Sequence, residues 1–345
     1  MRNQRTSMRD VARAANVSVS AVSLVVRGKP GVSSDTRERI RAIMSELDYE
    51  LPGGSENAGP GTIGLLIERS RAPIVSDVFY GDVVGGFQAE ARRLGYQVTL
   101  HMYDSVTDTL DWLRTYLHGT VCGVIVANDG DIGPEMIAEL DALELPLVLV
   151  ENYSPDRRIP CVLGDNFTAG YTATRHLLGL GHRSLAVLKG PDKYSSLVHR
   201  LRGCLAAAAE ESVLVPPEFL PEPVSGYPQK GYMQMCEILR LSERPTAVVA
   251  ISDKAAFGAM EAIREADLRI PEDMAIVSID DVVESAYTRP PLTTVRIPRD
   301  EMGALAMQKL HRLICWEREV TAKSVVYSEL IVRESCGAHL HQPRA

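Results

Sequence analysis

Nine arginines and lysines fall within the first 45 residues (Arg2, Arg5, Arg9, Arg13, Arg27, Lys29, Arg37, Arg39 and Arg41), against only Asp10, Asp35 and Glu38. That segment carries +6 while the 345-residue chain carries −8, which leaves −14 for the remainder. Cationic side chains at this density suit the gripping of phosphates, and an acidic body would repel the same polyanion. The asymmetry places nucleic-acid contact at one end of the chain; on charge alone, the competing reading is a chance cluster of surface arginines.

Residues for covalent or metal chemistry do not assemble in the same way. The sequence holds no G-x-S-x-G, no G-x-x-x-x-G-K-[ST] and no H-E-x-x-H, and Gly179-Leu-Gly181 lacks the third glycine of a dinucleotide loop. Asn128-Asp-Gly-Asp131 lacks the distal Glu of a calcium loop and reads as a turn. The six cysteines form no C-x-x-C pair, so neither disulfides nor a thiolate metal site is expected. His339 and His341 lie in a polar tail. No catalytic residue, metal or cofactor is expected, and an enzymatic role is not.

The basic segment reads as three helices. Ser7-x-x-Asp10 opens a small-residue helix through Val11, Ala12, Ala14 and Ala15, and Asn16-Val17-Ser18 turns the chain. Ser18 caps a second helix, Val19 to Val26, with Val22, Val25 and Val26 inward and Ser20, Ala21 and Leu24 outward, ended by Gly28 and Pro30. A third helix starts near Ser33 or Ser34 and runs to about Leu47, its Ile40, Ile43, Met44 and Leu47 forming the stripe that props the other two. Two short helices around a tight turn, braced by a third and set among arginines, fit a helix-turn-helix whose second helix enters the major groove; a generic three-helix bundle is the alternative.

Residues 52–61 hold four glycines and two prolines and read as a flexible linker and domain boundary. Beyond them, wholly apolar strand-like runs alternate with helical ones and the series restarts once, so parallel sheets covered by helices are expected in two lobes. The expected division is a head over 1–50, a linker over 51–61, a body over 62–335 and a tail over 336–345. Within the body, one lobe spans about 62–160 and 292–320, the other about 161–291 and 321–335. A closing helix is expected over about Arg299 to Trp316 and one strand over Ser324 to Val332. Ligands of such sheets bind beyond the carboxyl ends of the strands, here between the lobes. No apolar run approaches the roughly 20 residues of a bilayer span, and the start carries Arg2 and Arg5 with no hydrophobic stretch behind them. A cytoplasmic protein without a membrane partner is expected.

Ser7-Met-Arg-Asp-Val-Ala12, Ala15-Asn-Val-Ser18, Val22-Ser23, Val32-Ser33 and Thr36-Arg-Glu-Arg39 resemble the DNA-binding head of the LacI/GalR family of bacterial transcription regulators. The body continues the likeness in order: Thr62-Ile-Gly-Leu65, Asp165-Asn166 with Ala169-Gly-Tyr171, His176-Leu177 with Leu180-Gly-His-Arg183, Pro271-Glu-Asp273, Ile279-Asp-Asp281 and Pro291-Leu-Thr-Thr-Val295. The resemblance implies an all-α helix-turn-helix head and an α/β two-lobed body like a periplasmic binding protein. It also implies a homodimer on pseudo-palindromic double-stranded operator DNA, with affinity set by a small effector.

Carried over residue by residue, the resemblance places Val19, Ser20 and Leu24 near base edges and Arg9, Ser18, Ser23 and Arg27 near phosphates. For Val19 and Leu24 the alternative is burial against the third helix. The family usually has an Arg where this chain has Leu24, so contact with a thymine methyl replaces bidentate reading of guanine. Its usual Ala/Arg/Leu-rich hinge is here the Gly/Pro linker, which argues against a wedge in the minor groove. In the cleft, Phe79 and Tyr80 fall at the family's aromatic pair, with core packing as the alternative. Arg200, Asp253 and Asp280 fall at strand ends where they could hydrogen-bond a polyol, with helix capping as the alternative for Asp253. Asn152, Ser196 and Tyr227 complete the candidate set. The implied effector is sugar-like, with a purine, nucleoside or other metabolite as the runner-up. A periplasmic-type solute receptor and an α/β enzyme with an accessory DNA module are the readings from other classes.

Overall fold

The computed structural model describes residues 8–26, 31–47, 61–68, 78–104, 108, 110–117, 119–127, 130, 132–223, 229–315 and 321–340. The linker over 51–60, Ser7 of the expected first cap, Arg27, Tyr227 and the 128–129 and 131 positions of the calcium-loop fragment lie outside the described residues.

Three helices form the head: α1 (Met8–Ala14), α2 (Val19–Val26) and α3 (Ser34–Glu46). Asn16 takes the left-handed conformation, φ 52°, which lets the chain reverse between α1 and α2 in so few residues. The Ser18 hydroxyl accepts the Ala21 amide at 3.1 Å and the Ser33 hydroxyl that of Thr36 at 3.4 Å, so α2 and α3 both begin on serine caps. Val11, Ala12, Ala15, Val22, Val25 and Ile40 make one small core.

The body is two doubly wound lobes. In the first, β1 (Thr62–Glu68), β2 (Gln97–Tyr103), β3 (Gly123–Ala127), β4 (Leu147–Val150), β5 (Cys161–Gly164) and β10 (Lys323–Val326) form a sheet ordered β10-β5-β4-β3-β1-β2, parallel throughout. Helices α4 (Val78–Arg93) and α11 (Arg299–Ile314) pack together on one side of it, and α5 (Leu110–Leu117) and α6 (Pro134–Asp141) contact each other. In the second lobe, β6 (Leu185–Leu188), β7 (Ala247–Ala250), β8 (Ala275–Asp280), β9 (Thr293–Arg296) and β11 (Glu329–Ile331) run in the order β11-β9-β8-β7-β6, with only β11 antiparallel. Two further pairs, α7 (Asn166–Gly179) with α8 (Ser195–Glu210) and α9 (Gln229–Leu239) with α10 (Asp253–Glu265), cover it.

Glycines set the closeness of these helix pairs. A Cβ on Gly170 would collide with the Arg200 carbonyl and one on Gly203 with that of Phe167, so α7 and α8 touch through their backbones. Gly86 and Gly303 do the same for α4 and α11, against the Asp300 and Val83 carbonyls.

Three strands lie across the lobe boundary expected from sequence. β5, expected to open the second lobe, pairs with β4 and β10 in the first sheet; β9, expected in the first lobe, pairs with β8 in the second. The single strand expected over Ser324 to Val332 is two, β10 and β11, one in each sheet. An apolar run announces a buried strand, but its partners are fixed by distant segments. At the last residue of the expected body the Ser335 hydroxyl accepts from the Thr293 amide at 2.8 Å and donates to the Ile276 carbonyl at 2.7 Å, and the fold continues into the expected tail, where Cys336 is buried and Ala338–Leu340 forms a short 3-10 turn. The chain thus passes between lobes three times, at Asp165, at Ile297-Pro298 and at Tyr327-Ser328.

Candidate functional site

In the head, α2 presents the residues that could meet DNA. Val22 and Val25 are buried while Val19 is 44% exposed, so the alternative of burying Val19 against α3 is not what the fold does. Leu24 is half-buried beside Gly31. The Ser18 oxygen is engaged as the cap of α2. Arg9 lies in α1 and Ser20 and Ser23 lie in α2; their side chains fall outside the described residues. Arg13 is exposed and comes within 3.9 Å of Asp10.

Between the lobes the strand ends carry a buried polar chain. Arg200 is 2% exposed. Its Nη1 donates to Asp280 Oδ1 and to the Ile251 carbonyl, both at 2.8 Å, and its Nε donates to Asn166 Oδ1 at 2.8 Å. The Asn166 amide in turn donates to Glu151 Oε2 at 2.9 Å, and Glu151 Oε1 accepts the Gly164 amide. Asp280 holds φ at 135° and Asp281 at 56°, conformations side chains rarely adopt and ones that cluster at binding sites. Arg299 pins that bend: it donates to the Asp280 and Asp281 carbonyls and pairs with Asp82 of α4 at 2.7 Å, tying one lobe to the other. Asp281 is flanked by Arg296 at 2.8 Å and Arg333 at 2.7 Å.

Asp253 does not line the cleft. It is 0% exposed and accepts from the Ser278, Ser285 and Thr294 hydroxyls at 2.5, 2.6 and 2.7 Å and from the Val282 amide at 2.9 Å. It fastens the loop after β8 to α10 from inside the lobe, and Ser252, not Asp253, caps α10. Burial pushes its carboxyl up to about 6, with the Asp280 charge adding to the rise and the hydroxyl donors opposing it. Asn152 is buried, its amide donating to the Ile132 carbonyl at 3.0 Å. Tyr80 packs half-buried against the main core and Ser196 is half-buried in α8; the Phe79 side chain lies outside the described residues.

Sequence reasoning missed Glu68, Lys193 and Tyr194. Glu68 closes β1 with its side chain 5% exposed, and across the cleft Lys193 Nζ lies 2.8 Å away and the Tyr194 hydroxyl 3.4 Å away. The available signal was a carboxylate at the carboxyl end of a buried strand, the same signal that singled out Asp280. Among the described residues no group of three or more His, Cys, Asp or Glu is placed to hold a metal, and no helix is long and apolar enough to cross a membrane. An open depression of about 370 Å³ lined by Tyr153, Arg157, Arg158 and Lys323 sits at the amino ends of β5 and β10, away from the strand ends that face the other lobe.

A basic helix-turn-helix joined to two α/β lobes whose polar strand ends face each other defines a DNA-binding regulator with an effector domain. Residues 7–50 match the model for bacterial regulatory proteins of the lacI family, and residues 174–336 match that of a periplasmic binding protein-like domain. The chain is 31% identical over 333 residues to the ribose operon repressor of Haemophilus influenzae, covering 95% of this chain and 98% of the relative. It is 28% identical over 343 residues to the transcriptional repressor PurR of Pasteurella multocida, covering 97% and 99%. Among solved structures it superposes on the lac repressor dimer bound to operator and the anti-inducer ONPF with a TM-score of 0.69 at 25% identity, covering 96% of this chain and 99% of that one. The chain belongs to the LacI family of bacterial regulatory proteins and is a DNA-binding regulator of transcription.

Proposed function

We propose that the protein is a cytoplasmic repressor, not an enzyme, that binds a pseudo-palindromic operator as a homodimer and leaves it when a sugar-like effector enters the cleft. The supporting observation is the Asn166–Arg200–Asp280 chain at the carboxyl ends of the second sheet, fixed donors and acceptors at the place where doubly wound lobes bind ligands. The similarity to a ribose operon repressor favours a sugar, and the similarity to PurR makes a purine the second reading.

In this reading exposed Val19, with Ser20 and Leu24, meets base edges, while Arg9, Ser18, Ser23 and Arg27 position the head on phosphates. Two recognition helices enter major grooves about 34 Å apart, and effector coupling of about 1–3 kcal/mol changes operator affinity 5- to 150-fold. Arg200 and Asp280 supply effector contacts; Asp253 supports the loop beside them.

Mobility shifts on DNA upstream of the protein's own coding sequence test the first half, comparing the full chain with a truncated protein starting at Thr62, which must lose all binding. Thermal-shift titration with sugars, glycosides and nucleobases tests the second half. A response to a nucleobase and to no sugar refutes the sugar assignment.

A further inference from the structure

At the amino ends of the first sheet, the side away from the cleft, two thiols converge on one phenol. Tyr96, Cys122 and Ile314 pack into the same core under α11. A Cβ on Gly123 would lie 3.1 Å from the Ile314 side chain, so the start of β3 rests against the end of α11, and Cys122 and Cys315, the next residue on each, share one corner. The Tyr96 hydroxyl lies 2.9 Å from His311 Nδ1, and the Cys315 sulfur lies 3.5 Å from the same nitrogen. Burial pushes the Tyr96 phenol well above the ordinary tyrosine range, and the Cys315 and Cys122 sulfurs add to the rise. Cys315 is exposed and Cys122 half-buried, whereas Cys161, Cys204 and Cys336 are buried elsewhere in the core.

The same corner is where residues 1–61 join the body. Gly61, at φ 118°, directly precedes β1, and a Cβ on it would lie 2.9 Å from Cys122 Sγ. The Cys122 thiol donates to the Thr62 carbonyl at 3.3 Å and its amide donates to that carbonyl at 2.9 Å. Helix α11 runs from Arg299, just after a crossing between the lobes, to Ile314 beside this corner. One helix therefore spans from the hinge to the point where the head is attached, and Cys315 caps it.

We infer that Cys122 and Cys315 form a redox-responsive thiol pair, a modification site at the base of the DNA-binding head whose closure into a disulfide weakens operator binding. In a reducing compartment such a pair acts as a transient sensor and not as a staple. The oxidant is a low-molecular-weight disulfide. The Cys315 thiolate attacks one of its sulfurs, the small S–S bond breaks and one small thiolate leaves; the Cys122 thiolate then attacks the Cys315 sulfur, forming the protein disulfide and expelling the second. Two protein thiols are oxidised, the small disulfide is reduced to two thiols, and the two protein protons end on them. Closing the bond draws Cys122 Sγ off the Thr62 carbonyl and fastens α11 to the strand beside the linker, which displaces the attachment of the head.

The test uses the full chain, reduced or treated with oxidised glutathione, and duplexes selected from random sequence by the reduced protein. Peptide mass spectrometry without reductant finds Cys122 linked to Cys315 within one chain, and operator affinity falls about fivefold or more, returning with dithiothreitol. Cys315→Ser, an exposed and near-isosteric change, forms no link and keeps the reduced affinity under both conditions. The inference is overturned if Cys315 carries only glutathione while Cys122 stays a thiol, or if the link joins two chains. It is equally overturned if the linked protein binds as tightly as the reduced one, or if Cys315→Ser loses affinity in parallel with the unaltered protein. The link is read without DNA, so its failure is separate from any failure in operator recognition.

Discussion

Replacing Asp253 by Asn separates the electrostatics of its site from its hydrogen bonding. The folded carboxyl, fully buried, holds its proton up to about 6 against an ordinary 3.8, a difference worth about 3 kcal/mol at 1.36 kcal/mol per pH unit. The folded value lies above the unfolded one, so the stability this group contributes is fully present below about pH 3.8 and is lost as pH rises through about 6. Integrating between those two values, about 2 kcal/mol of the loss falls between pH 4.5 and 7.5. Asn cannot ionise and lacks this slope. Its amide nitrogen would face the Val282 N–H or a hydroxyl that now donates, a mismatch costing about 1–3 kcal/mol at every pH. Urea unfolding of both proteins at pH 4.5, 6.0 and 7.5 reads the two effects: an offset from the mismatch, and an advantage of the unaltered protein that shrinks by about 2 kcal/mol with rising pH. A difference between the two proteins that stays flat within about 0.5 kcal/mol shows that the hydroxyl donors outweigh desolvation and refutes the assignment.

Arg200→Met strands the Asp280 carboxylate and the Asn166 oxygen in the interior, and a loss of about 3–5 kcal/mol in chemical denaturation is expected together with loss of any effector response. Gly203→Ala drives a methyl into the Phe167 carbonyl at the α7–α8 contact and should cost about 1–3 kcal/mol in thermal melts. Gly179→Ala, at the end of α7 with open space around it, should gain a few tenths to about 1 kcal/mol; equal effects at both sites would contradict the close helix contact. Ser18→Ala removes the cap of α2 and should cost the head about 0.5–2 kcal/mol, read as weaker operator binding in mobility shifts.

The head was legible because its signals are local. Ser18 and Ser33 stand one residue ahead of the helices they cap, and Val22, Val25 and Ile40 follow the helical period. The body yielded its layers but not its seams: Cys161 to Leu163 reads as a buried strand, yet nothing in such a run states that β4 lies beside it, and Thr293–Arg296, with two threonines and an arginine in four residues, does not announce the strand that pairs with β8. The same limit governs the site. Asp253 and Asp280 look alike in sequence, each a carboxylate after an apolar strand, and only the convergence of Ser278, Ser285 and Thr294 distinguishes a buried strut from a group beside the cleft. Glu68 and Lys193 are 125 residues apart, and their meeting depends on the closure of two lobes.

The three crossings at Asp165, Ile297-Pro298 and Tyr327-Ser328 decide what kind of signal can travel through the molecule. Each half is stiffened where paired helices rest backbone on backbone at Gly86 and Gly303 or at Gly170 and Gly203, so neither half yields readily by internal sliding. Whatever arrives in the gap is converted into a swivel about those short covalent ribbons, much as a book opens along its spine. Residues 1–61 precede β1 and so join only one cover, and in the reading proposed above a swivel of that cover against the other moves the point from which the reading head is hung.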